Sequence, residues 1–98
     1  MYGNVRVEIL RIVDDSFPVF VEFELIDCKG NSYHFIDKTP VVGCEYDVVP
    51  KSDGYLRCSI IDEREDTYVI DTSLPDDIEN VNGECRFEVK KEQMLIKK

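Results

Sequence analysis

"FELIDCKGNSYHFID", residues 23–37, consists of two alternating runs folded about one glycine. Phe23 and Leu25 alternate with Glu24 and Ile26 on the way in, and Tyr33 and Phe35 with His34 and Ile36 on the way out. Alternation with a period of two marks half-buried strands. Gly30 supplies the left-handed residue that ends a three-residue hairpin loop with a bulge, and this geometry pairs Asp27 with Asn31. Counting back from that pair sets Leu25 opposite Tyr33 and Phe23 opposite Phe35 on an apolar face. Glu24 then stands opposite His34, and Glu22 opposite Ile36, on the other face. Register and hydrophobic pattern agree, as they should in a β-hairpin. The chain's single histidine is therefore placed on a polar sheet face beside a carboxylate, where an exposed pair contributes only ~0.2–1 kcal/mol. Catalysis there would need a nucleophile or a substrate pocket beside it, and metal binding would need more ligands.

The same periodicity extends outward in both directions. In "NVRVEILRIV" (4–13), Val5, Val7 and Ile9 share one face, then the phase slips at Ile9–Leu10 and Leu10 and Ile12 carry the apolar face onward. Such a slip predicts a bulge, or a strand curling around a closed barrel. "DDSFP" (14–18) turns the chain into "VFVEFELID" (19–27), because Asp and Ser favour turns and Pro18 cannot donate to a ladder. A second hairpin follows. "GYLRCSIID" (54–62) sets Leu56, Cys58 and Ile60 on one face, and "EREDTYVIDT" (63–72) turns and returns after three or four residues. "ECRFEVKK" (84–91) alternates Cys85, Phe87 and Val89, and "QMLIKK" (93–98) adds a short strand or packs Met94 and Ile96 across a barrel end. These segments predict an all-β fold, one domain over residues 1–98, built as a single small antiparallel barrel of about six strands. Closure removes the edge problem in so short a chain. A two-sheet β-sandwich is the alternative architecture.

Two long connections interrupt the strands. "KTPVVGCEYDVVPKSD" (38–53) is punctuated by Pro40, Gly43 and Pro50 but is too apolar for free solvent. In one reading Val42, Tyr46 and Val48 cap the barrel's open end, and in the other Tyr46 is an exposed recognition residue. "TSLPDDIENVNGE" (72–84) offers Ser73 as an N-cap for one helical turn ending before Asn80. Its carboxylates do not form an EF-hand, since Ile78 stands where an oxygen ligand is required.

Composition narrows the function by exclusion. The net charge is −9 and the pI is near 4.5, whereas nucleic acid and anionic lipid both reward a basic surface. No apolar run approaches the ~20 residues of a membrane-spanning helix. "MYGNVRVEIL" (1–10) has no apolar h-region or small-residue cleavage site, which predicts a cytoplasmic protein. Cys28, Cys44, Cys58 and Cys85 are widely spaced with no C-x-x-C pair, as expected of reduced thiols rather than a disulfide framework or a zinc site. Phosphate-binding, zinc-protease and serine-hydrolase motifs are all missing. Asp62 and Asp71 across the second hairpin form a conceivable carboxylate pair of the kind any acidic β-protein offers by chance.

The order "VRVEI", "DDSFPVFVEFELIDCKGNSYHFIDKTPVV", "GYLRCSI", "IDTSLPDDIE" and "GECRFEV" resembles a family of small uncharacterised bacterial proteins, over residues 5–89. The resemblance implies a small soluble bacterial β-domain and carries over no site. The expected function is a non-enzymatic protein–protein interaction module, immunity-like in one concrete version, that binds a basic partner surface without a cofactor. Its partner-binding residues would be Tyr46, Asp62, Glu63, Glu65, Asp66, Asp76, Asp77 and Glu79. The protein would be a monomer or an edge-strand homodimer. The alternative is a small-ligand or metal-binding barrel with its site in the mouth near Tyr46, Tyr55 or Cys44.

Overall fold

The computed structural model describes residues 1–16, 18–42 and 51–96. Seven strands make one antiparallel sheet: β1 (Tyr2–Asp14), β2 (Phe20–Ile26), β3 (Ser32–Lys38), β4 (Ser52–Glu63), β5 (Thr67–Asp71), β6 (Arg86–Lys90) and β7 (Met94–Leu95). The path runs β3-β2-β1-β4-β5-β6, and β7 pairs with β1 beside it. A single curled sheet replaces the sandwich alternative. It forms a half-barrel, consistent with a small barrel, and no α-helix occurs among the described residues.

The hairpin that opened the sequence has its expected register, Leu25 opposite Tyr33, Phe23 opposite Phe35 and Glu24 opposite His34. Gly30 has φ 85°, and Asp27 N–H donates to Asn31 O at 2.9 Å. The Asp27 carboxylate also accepts from Lys29 N, Asn31 N and the Tyr33 hydroxyl, which fixes the loop. The slip in β1 is a bulge: Ile9 pairs with Phe23 and Arg11 with Glu22, leaving Leu10 as the extra residue. Beyond it Ile12 pairs with the buried Val21 yet is 39% exposed, so the apolar face continues past its cover.

The concave face is the core. Val5, Val7, Ile9, Val21, Phe23, Leu25, Leu56, Cys58, Ile70 and Val89 are all buried on it. Pairing of Ile60 with Ile70 settles the face of β5, and Asp71 pairs with Ser59 while Asp62 pairs with Val69, so those two carboxylates are not cross-strand partners. No β-ladder joins the edge strands β3 and β6. They meet through rings instead: Phe87 lies 4.8 Å from Tyr33 and 5.7 Å from Phe35, and Phe35 stacks on Phe23 at 5.1 Å. Two backbone bonds flank this seam, Cys28 N–H to Glu88 O (2.8 Å) and Val81 N–H to His34 O (3.0 Å).

Residues 39–42 form a 3-10 turn whose Val42 is buried over Gly54, where an added Cβ would stand 2.8 Å from Val42 O. Val42 thus takes its expected capping position, while Cys44, Tyr46 and Val48 lie outside the described residues. The segment after Ser73 makes a single hydrogen-bonded turn, but Ser73 does not cap it, because its hydroxyl donates to Asp71. Asp71 caps Ser73 N at 2.9 Å, Asp77 N–H closes one turn onto Ser73 O, and Asp77 then takes φ 57°, which ends any helix. Buried Thr72 donates to Ile78 O, and buried Asn80 accepts from the N–H groups of Asn82 and Glu84, so the loop carries its own hydrogen-bond network.

Candidate partner-binding face

Alternation along β1, β2 and β4 turns one side chain of every pair to the convex face. Glu8 lies between buried Val7 and Ile9, Glu24 between Phe23 and Leu25, and Asp53 precedes the buried Gly54. The ladders set these three side by side, because Glu8 pairs with Glu24 across β1–β2 and with Asp53 across β1–β4. Neighbouring strands are ~4.8 Å apart, and like charges placed directly opposite destabilise a sheet. Among the described residues neither Glu8 nor Asp53 has an ion-pair partner.

His34 ends the row, opposite Glu24. Its Nδ1 is 2.8 Å from Glu22 Oε2 and its Nε2 lies 3.5 Å from Glu24 Oε2. Arg11 Nε donates to Glu22 at 2.6 Å, and the His34 hydrogen bond, followed by the Arg11 one, holds the Glu22 carboxyl below its ordinary value. Ser32 Oγ stands 3.2 Å from His34 Nε2. The connectivity Ser32–His34–Glu22 is that of a nucleophile, a base and an orienting acid. Here, however, the Ser32 hydroxyl donates to Glu24, so its single proton is already directed at a carboxylate. The group pins β2 to β3.

A groove of about 180 Å³ runs beside the row, lined by Glu8, Glu24, Asp53, Arg6, Ile26 and Gln93. It lies at a fork in the sheet, where β2 and β7 both leave the same side of β1. Gln93 bridges the fork. Its Nε2 donates to Ile26 O at 2.7 Å and its Oε1 accepts from Lys90 N–H at 2.8 Å.

The acidic residues expected from the sequence fall into two other groups. Asp62, Glu63, Glu65 and Asp66 surround the β4–β5 turn, while Asp76, Asp77 and Glu79 lie on the loop leaving the far end of β5. Five residues of strand, ~16 Å, separate the two groups. Each group contains cations of its own. Arg64 stands 3.5 Å from Asp62, Lys91 binds Glu63 at 2.8 Å, and the Arg57 guanidinium makes two bonds to Asp76, at 2.7 and 3.1 Å. Tyr46 lies outside the described residues, and Tyr55 stands on β4 opposite Arg6, 42% exposed.

Sequence reasoning placed Glu24 on the polar face but missed its row. Glu8 reads as polar from the alternation of β1 and Asp53 as part of a connection, and only the long-range β1–β4 register brings the two alongside. Cys28, Cys58 and Cys85 are free thiols, and burial pushes Cys58 up to about 12. Among the described residues no group of three or more His, Cys, Asp or Glu is placed to hold a metal ion, and no helix is long and apolar enough to cross a membrane. No protein-family model, curated protein or solved structure matches the chain.

Proposed function

We propose that this domain is a non-catalytic protein-binding module that receives cationic side chains of a partner on the convex face, at Asp53, Glu8 and Glu24. One observation carries the reading. Strand register holds three carboxylates abreast with no cation among the described residues standing between them, an arrangement that costs folding stability and that a bound cation relieves. The net charge of −9 steers a basic partner towards this face from a distance, and the two acidic loops extend the field on either side. Neutralisation of a basic toxin by an immunity-type domain is the concrete form of this function.

The test compares two variants of equal charge. The row variant is Glu8→Gln/Glu24→Gln/Asp53→Asn, and the control is Asp62→Asn/Glu63→Gln/Glu65→Gln. The ligand is an acetylated, amidated oligo-arginine peptide, titrated by calorimetry at low and at moderate salt. Three exposed pairs of about 0.5 kcal/mol each amount to about tenfold in affinity. The row variant should lose about that factor and the control distinctly less. Equal losses would mean that only net charge matters, and the reading would fall.

A further inference from the structure

Glu22 has two basic neighbours, Arg11 at 2.6 Å from its Oε1 and the His34 ring at 2.8 Å from its Oε2. An ionised carboxylate only accepts hydrogen bonds, so the neutral His34 ring holds its one hydrogen on Nδ1. Its Nε2 then presents a lone pair to two oxygen atoms, Ser32 Oγ at 3.2 Å and Glu24 Oε2 at 3.5 Å. The Ser32 hydroxyl gives its hydrogen to Glu24 and not to this lone pair. A second proton, on Nε2, makes the ring a cation with a donor beside Glu24. Arg11 already matches Glu22, so the added charge is set against Glu24, the end member of the acidic row. Ser32 and Ile36, the convex-face neighbours of His34 on β3, carry no charge. The loop after β5 meets His34 through backbone, Val81 N–H to His34 O. Among the described residues the ring's ion pairs are with Glu22 and Glu24; Glu79 and Glu84, on either side of Val81 in the chain, make none with it, and Glu84 accepts from Asn80 Nδ2.

We propose, resting on the function above, that His34 gates the acidic row by protonation. The neutral ring leaves the Glu24 charge uncompensated and open to a partner's cation. The imidazolium supplies the row with a cation from the chain itself. Histidine is the side chain whose charge ordinarily changes between about pH 5 and 8, whereas arginine on a partner stays charged throughout. The proton and the partner therefore compete for one carboxylate, and a basic partner is held more tightly at neutral than at mildly acidic pH. Protonation offsets one of the row's three carboxylates, so the effect is a graded weakening of the complex. The coupling is reciprocal: the factor by which a proton on His34 weakens the partner is the factor by which bound partner weakens the proton.

The experiment measures the calorimetric affinity of the whole chain for the acetylated, amidated oligo-arginine peptide at about pH 7.5 and about pH 5.5, at one low ionic strength. From the higher to the lower pH the parent should lose about threefold in affinity, the size of one exposed ion pair. His34→Gln should lose that pH dependence. Because this variant also removes the ring's bond to Glu22, a second reading uses the parent chain alone. His34 is the chain's only histidine, so its ring C–H signals in NMR titrate without overlap. Saturating peptide should move their midpoint down by about 0.5 pH unit, the same threefold read from the proton's side. A parent affinity equal at the two pH values, a pH dependence that survives His34→Gln, or a ring midpoint unmoved by the peptide would overturn the inference. If the contrast between row and control variants holds at the higher pH through any of these results, the acidic-row function stands and only the gate falls. Absence of that contrast would overturn both.

Discussion

Replacing Phe87 by alanine tests how the half-barrel is held shut. The edge strands β3 and β6 share no ladder, so the seam depends on rings and on the two backbone bonds beside them. Phe87 is 5% exposed and lies against both Tyr33 and Phe35, the second of which stacks on Phe23. Truncating a buried phenylalanine costs about 3–5 kcal/mol, of which each ring contact contributes about 0.5–1.5. Domains of this size have about 5–15 kcal/mol in total, and 1 kcal/mol moves Tm by about 4–8 °C. Phe87→Ala should therefore lower Tm by at least about 12 °C. Urea melts followed by far-ultraviolet circular dichroism give the free energy directly, and tyrosine fluorescence is a clean second probe in a chain without tryptophan. Ile36→Ala, at a site 44% exposed on β3, is the control and should stay within about 0.5 kcal/mol of the parent. A loss of less than about 1 kcal/mol for Phe87→Ala, or one no larger than the control's, would refute the argument.

Glu8→Gln should stabilise the domain by about 0.2–1 kcal/mol by relieving repulsion from Glu24 and Asp53, and the gain should shrink as salt is added. A lower Tm for this variant would contradict the row. The Glu22 carboxyl is held low by His34 and then Arg11, and that of Asp71 by Ser73. A carboxylate depressed in the folded state gives its stabilisation in full above the unfolded value and loses it as pH falls through the folded one. The urea midpoint should thus hold steady from pH 7 to about 5 and decline below about pH 4, with a shallower decline in Asp71→Asn. A midpoint unchanged down to pH 3 would remove these contacts. Burial that pushes Cys58 up to about 12 leaves almost no thiolate at pH 8, so this cysteine should resist a disulfide reagent until the chain unfolds. Half-buried Cys28 should react well before Cys58, and equal native rates for the two would be the contrary result.

The opening hairpin was legible because its loop is short: one glycine with positive φ fixes the turn, and a two-residue period carries the register down the ladder. The slip at Leu10 was legible for the same local reason, as a break in alternation. Local rules failed in part at residues 72–79, where the single turn forms from Ser73 O to Asp77 N–H but Ser73 does not cap it. There the Asp71 carboxylate takes the Ser73 N–H, and Ile78 is drawn into the core. They failed again at Asp53, which lies 45 positions from its neighbour Glu8. No sequence period encodes that pairing, because Val42 over Gly54 and Lys51 N–H on Ile9 O set where β4 begins. Charge composition therefore announced an acidic protein, but only the register showed which carboxylates stand together.

On the proposed function, the acidic row sets stability against binding. Sites that break a local rule are where function is expected, and relieving the strain should stabilise the fold while weakening the complex. The most direct measurement is an NMR titration of the labelled domain with the oligo-arginine peptide at low salt. The account predicts that the largest early amide shifts fall at Glu8, Glu24 and Asp53. Largest shifts at Glu63, Glu65 and Asp66 on the β4–β5 turn, with the row unmoved, would contradict it.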